Sequence, residues 1–170
     1  PDLATFGKAL GGGVALAAVA GRRDILDLMF GGGVSFGGSL NGNPLAMAAA
    51  YATLTELSKD GGAALLRANR TGGLLMEGIR DVAKRRGVPL AVCGFGAAFA
   101  VHFTSRSELL DYRDTLEDDR DRLMDFARRL LAEGIYMLPD GRFYTSAVHT
   151  EREVEETLRG VEEALASAAW

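Results

Sequence analysis

Apolar positions recur with helical spacing in three stretches of the chain and alternate along one more. Ala68, Gly72, Leu75, Ile79 and Val82 follow one another at alternating four- and three-residue intervals, which predicts a long amphipathic helix ending near Gly87. Leu123, Phe126, Ala127, Leu130 and Leu131 mark a second helix, stopped by Gly134, and Val154, Leu158, Val161 and Leu165 carry the core stripe of a last one. Residues 89–93 and 98–104 read as two strands joined at Gly94-Phe95-Gly96, a hairpin. In the second strand Phe99, Val101 and Phe103 share one side, with Ala100, His102 and Thr104 on the other. His102 is thereby expected on the less buried face as a strand residue rather than a ligand. Residues 135–138 and 143–147 read as short strands. Ser105 and Glu108 have capping-box spacing, predicting a short helix there, and Thr150 with Glu153 forms a second such box. His149 precedes that cap and is expected to serve local structure.

The first third is patterned differently. Residues 3–6 read as a strand, 11–13 as a glycine turn, 14–20 as a buried strand of small apolar residues, and 23–29 as a helix. A glycine-rich loop covers 31–42. Asn43 then supplies an N-cap and Pro44 the first helical residue, where its missing N–H costs nothing. The helix from 44 to about 57 is mostly alanine, smooth enough for close approach at a domain or subunit contact. A change of character at 58–62 places a boundary near residue 59. The fold class is α/β.

Composition narrows the function. A formal charge of −4 leaves no basic face of the kind that neutralises phosphates, so nucleic acid is not expected as a partner. No apolar run approaches the ~20 residues that cross a membrane. Cys93 is the single cysteine, so no internal disulfide is possible, and a cytoplasmic location is expected. Its neighbours Val92 and Phe95 suggest a buried structural thiol. The chain opens on Pro1, directly into a motif, as a piece of a longer polypeptide would.

Lys8 stands out because Lys8, Lys59 and Lys84 are the only lysines among nineteen cationic side chains, and it lies between Gly7 and Ala9 in PDLATFGKALGGG. An arginine there could serve as a cation but never form an imine, since its guanidinium keeps its proton. A neutral lysine amine can. The other reading is a lysine snorkelling from a strand end. Neither glycine run has the G-x-G-x-x-G spacing of a dinucleotide site.

PDLATFGKALGGG, then Gly21-Arg22-Arg23-Asp24-Ile25, then GGSLNGNPLAMAAA at 37–50, resembles the class III aminotransferases, in particular the glutamate-1-semialdehyde aminomutase-like branch. The closing YMLPDGRFYTSAVHTEREVEETL is similar to that branch's last strands and helix, so the likeness covers the whole chain. The resemblance implies a fold type I enzyme of pyridoxal 5'-phosphate (PLP). Residues 1–58 would end its large cofactor-binding domain and 59–170 form a small α+β C-terminal domain. Lys8 would form the Schiff base with PLP and then move the proton at substrate Cα. Ser39 stands where the family has a threonine that binds the cofactor phosphate across a dimer interface, and it keeps the hydroxyl donor. Gly37 and Gly38 would let that backbone approach closely. A homodimer with a shared site follows, acting on a small-molecule amino donor and an oxo acceptor, with no metal.

Two departures matter. Residues 139–146 are shorter than in the aminomutase and offer Asp140-Gly141-Arg142 in place of a glutamate, which favours an aminotransferase. Arg142 could bind a substrate carboxylate bidentately or be a hairpin surface charge. The family's residue stacked on the cofactor ring, and the aspartate at its nitrogen, correspond to positions before Pro1. The chain is therefore expected to be the C-terminal part of a PLP enzyme, not competent alone. An intramolecular aminomutase and a non-catalytic structural fragment are the alternative functions.

Overall fold

The structure is a computed structural model in which residues 1–166 are described. Its contacts divide the chain into two units, Pro1–Ala63 and the residues from Ala64 onward.

In the first unit β1 (Leu3–Phe6) pairs antiparallel with β2 (Ala18–Gly21), Leu3 opposite Gly21 and Phe6 opposite Ala18. The expected buried strand over 14–20 is corrected: β2 is shorter, begins later and is exposed along its length. Pairing can start only where Phe6 meets Ala18, and a two-stranded ribbon leaves its apolar residues open. Between the strands Lys8–Gly11 winds into a 3-10 turn, closed by Gly12 in the left-handed conformation. A Cβ on Gly12 would stand 2.6 Å from Thr53 Oγ1, so the turn is seated tightly on the next-but-one helix. Helix α1 (Arg23–Phe30) follows, then the glycine loop, then α2 (Pro44–Ser58), whose Ala46 N–H donates to Asn43 Oδ1 at 3.1 Å as the N-cap predicts.

The second unit has one sheet, β3 (Leu90–Phe95), β4 (Ala98–Phe103) and β5 (Arg142–Tyr144), in the order β3-β4-β5 and antiparallel throughout. Three helices accompany it, α3 (Ala63–Arg86), α4 (Arg120–Ala132) and α5 (Glu151–Ala166). The predicted stripes meet in one core, except that Leu131 of α4 is corrected to an exposed position: Ile79 of α3, Val101 of β4, Phe126 and Leu130 of α4 and Val161 of α5 are fully buried. Phe103 meets Phe126 edge-on at 5.5 Å, and Phe99 stacks on Phe143 at 5.0 Å. Gly72 lets α3 lie against the Gly96 carbonyl, which any Cβ would overlap. Asn69 Oδ1 accepts from the Ala97 N–H at 3.0 Å and locks the hairpin turn to the helix.

Three further expectations are corrected. Residues 135–138 join no sheet: the Ile135 N–H is taken by the Leu130 carbonyl at 2.8 Å and the Leu138 N–H by Arg142 at 3.1 Å, so turn bonds replace a ladder. The strand expected over 143–147 is β5, shifted to Arg142–Tyr144. No helix starts at Ser105. Instead Asp111 and Asp114 form the working capping box around a 3-10 turn, Tyr112–Thr115, because Arg106 reaches forward to Asp114 and Glu117.

At α5 the Thr150 hydroxyl and N–H donate to the Glu153 carboxylate at 2.6 and 2.7 Å. The hydroxyl bond first, then the N–H, holds that carboxyl down at about 2. Because the folded value is lowered, its contribution to the helix start is complete above the ordinary glutamate range and is lost as pH falls through about 2. Amide exchange at the first turn of α5 is expected to accelerate over that window, and a Glu153→Gln variant to lack the effect. Among the described residues no helix is long and apolar enough to cross a membrane.

Candidate functional site

Lys8 opens the 3-10 turn with φ 52, one of two non-glycine residues in the left-handed region among the described residues. A lysine gains nothing there sterically, so its conformation is imposed by its surroundings. The Leu10 N–H to Gly7 carbonyl bond (3.2 Å) and the Gly12 N–H to Ala9 carbonyl bond (3.0 Å) hold the turn, with buried Gly11 beneath it. The side chain is exposed, and its amine has no hydrogen-bond or ion-pair partner among the described residues.

Gly38 and Ser39 lie in the glycine loop of the same unit, exposed and outside any helix or strand. The Gly38 carbonyl accepts from the Asn41 N–H at 3.0 Å and the Leu40 carbonyl from Asn43 at 3.1 Å. These two turns leave the Gly37, Gly38 and Ser39 N–H groups and the Ser39 hydroxyl without a partner among the described residues. Successive free N–H groups with a hydroxyl are a donor set suited to phosphate. No hydrogen bond joins this loop to Lys8.

Arg142 begins β5 in the second unit. Its Nε donates to Asp140 Oδ2 at 2.8 Å and its Nη1 to the Tyr144 hydroxyl at 3.2 Å, with about half of the side chain exposed. Asp140 strengthens the guanidinium's hold on its proton, and Arg142 in turn keeps the Asp140 carboxyl below its usual range. The arginine is thus engaged within its own hairpin.

Sequence reasoning placed His102 on the outer face of β4 but missed Asp118, whose Oδ2 lies 2.6 Å from His102 Nδ1. Asp118 lies 16 positions beyond His102, outside any helix or strand, with no spacing signal. His149 has the local role expected: its Nδ1 accepts from the Ser146 N–H at 2.9 Å. Cys93 is half-buried, and burial foremost, with Asp118 second, pushes its thiol up, away from nucleophilic use. No group of three His, Cys, Asp or Glu among the described residues could hold a metal.

Residues 1–165 match the family model described as aminotransferase class-III. Among solved structures the chain is similar to an omega-transaminase from Sphaerobacter thermophilus, at 27% identity and TM-score 0.82, over 98% of this chain and 38% of that one. It is similar to a beta-phenylalanine aminotransferase from Variovorax paradoxus, also at 27% identity, with TM-score 0.84 over 97% of this chain and 38% of that one. A glutamate-1-semialdehyde-aminomutase from Pseudomonas aeruginosa PAO1 shares the fold at 21% identity and TM-score 0.84, over 98% and 39% of the two chains. The chain therefore spans about 38% of the length of the transaminases it matches. With a glycine-flanked lysine, a loop of free donors and a family match running almost end to end, the chain belongs to the class-III aminotransferase family, whose cofactor is pyridoxal 5'-phosphate.

Proposed function

We propose that the complete protein carrying this chain transfers an amino group between an amine or amino acid and an oxo acceptor, with Lys8 as its Schiff-base lysine. The observation that carries this reading is the unpartnered Lys8 amine on a left-handed turn, in a chain of this family. The residues fit the cofactor: Lys8 offers a free amine, and the 37–39 loop offers free donors for a phosphate. Bound PLP supplies an electron sink for the carbanion left when substrate Cα loses its proton.

The chain's own residues divide the remaining work. Lys8 Nζ takes the proton from Cα as general base and returns it as general acid. The Ser39 hydroxyl and the Gly38 and Ser39 N–H groups donate to the phosphate, with no Cβ at Gly37 or Gly38 to hinder its approach. Arg142 pairs with a substrate carboxylate, for which Asp140 would have to yield its place. Its hairpin pairing equally suits a surface charge.

Residues 1–58 close the large domain and 59–170 form the small one in this reading. Leu45, Tyr51 and Leu54 of α2 are exposed apolar residues, which supports association into a homodimer that shares the site. A cytoplasmic location accords with a single cysteine.

An aminomutase differs by needing no external acceptor. The tight Asp140-Gly141-Arg142 turn, with Gly141 at φ 90, favours the transaminase. In an assay of the complete protein, keto product is expected to accumulate in proportion to added oxo acceptor. Isomerised product formed with no acceptor present would support the mutase. A structural fragment predicts neither product.

A further inference from the structure

Within the first unit, α2 packs principally against the Lys8–Gly11 turn. Its covered positions are Ala46, Ala49, Ala50, Thr53 and Leu57, and every other residue of the helix is exposed. These five recur at the spacing of one helical stripe. Small side chains along most of it let a backbone turn come close, which gives the alanine-rich surface a use inside the unit.

The approach is tightest at Gly12. A Cβ added there would stand 2.6 Å from Thr53 Oγ1 and 3.9 Å from Thr53 Cβ, so the site has room for a hydrogen and nothing larger. Gly12 also closes the turn, its N–H donating to the Ala9 carbonyl at 3.0 Å, with φ 57. At the other end Lys8 takes φ 52. An L-residue holds that conformation only where its surroundings impose it. A turn released from α2 would relax toward negative φ at Lys8. The Cα–Cβ bond would then swing, and the amine at the end of a long side chain would point elsewhere.

We propose that Thr53 is a positioning residue for Lys8: through Gly12 it holds the turn in the left-handed form that aims the amine at the cofactor aldehyde. This rests on the reading of Lys8 as the Schiff-base lysine. In the step it serves, the neutral amine adds to the aldehyde carbon, and the aldehyde oxygen leaves as water with the two protons from nitrogen.

The complete protein, freed of cofactor, tests this with two ligands. Pyridoxamine 5'-phosphate has no aldehyde and cannot bond to Lys8, so its Kd reports cofactor binding alone. Stopped-flow absorbance after mixing with PLP reports the covalent step. Thr53→Ala is expected to slow that step roughly ten- to a hundredfold, as a small misplacement of a reacting group does, with the pyridoxamine phosphate Kd unchanged. Thr53→Ser keeps Oγ1 and should react at close to the parent rate. Gly12→Ala drives a Cβ against Thr53 and should also slow the covalent step alone, and it decides the matter should Thr53→Ala not fold. The proposal is overturned by an unchanged rate in the alanine variants, by a serine variant as slow as Thr53→Ala, or by an equal loss of rate and of pyridoxamine phosphate affinity. Borohydride reduction of the parent with PLP separates this from the reading beneath it. A parent carrying no pyridoxyl group on Lys8 ends both, whereas a labelled parent with unaffected variants ends only the role of Thr53.

Discussion

Replacement of Lys8 by alanine in the complete protein is expected to lower amino transfer by at least about a thousandfold, because nucleophile and general base are lost together. The fold should survive. Lys8 is exposed, makes no side-chain hydrogen bond among the described residues, and sits at φ 52, a conformation no better suited to lysine than to alanine. Circular dichroism and the denaturation midpoint should therefore stay near those of the parent while turnover collapses. Lys8→Arg should be as inactive as Lys8→Ala despite keeping the charge, since guanidinium cannot form an imine. Comparable activity in the arginine variant would show that Lys8 acts only as a cation.

The largest stability effect is expected at Phe126. It is fully buried in the second unit and meets Phe103 edge-on. Truncation to alanine should cost about 4 kcal/mol, from lost burial plus the cavity left behind. Against a typical total of about 5–15 kcal/mol, that is a large share of what holds a domain together. Hydrogen exchange is the suitable readout: the most protected amides of β4 and α4 should lose protection together, as members of one cooperative core. A change confined to the turn around Phe126 would mean that the core is not one unit. Phe126→Leu should cost distinctly less, because it leaves a smaller void.

These two positions differ in how far the sequence revealed them. Phe126 belongs to a helical stripe, and side-chain period reports burial directly, so the faces of α3, α4, α5 and β4 were legible in the sequence, Leu131 at the exposed edge of the α4 stripe excepted. Lys8 stood out as candidate chemistry but gave no sign of its conformation: the left-handed region is signalled by glycine or asparagine, and a lysine there gives no warning. The segment from 105 to 118 misled, because Ser105 and Glu108 have capping-box spacing with no apolar period behind them. Asp111 and Asp114 captured the backbone N–H groups instead. The strand expected over 135–138 failed for a related reason. Its apolar residues read as β, yet the C-terminal turn of α4 and the 138–142 turn claim its backbone bonds. Long-range polar pairing left no trace in the pattern at all, as His102 with Asp118 shows.

The same limit applies to the candidate site. Lys8 and the Ser39 loop are candidates through motif order, and the free donors of that loop accord with the proposed phosphate site. Arg142 stood out as a candidate too, but its engagement by Asp140 and Tyr144 did not, because short-range side-chain competition is decided by the turn geometry at Gly141.

The central claim is that Lys8 Nζ is the amine bonded to the cofactor in the resting enzyme. Borohydride reduction of the complete protein with PLP, followed by peptide mapping, reads this directly. The account predicts a pyridoxyl group fixed on the Lys8 peptide and absent from the Lys8→Ala variant. A label on a different lysine, or unlabelled protein with PLP bound, would contradict it.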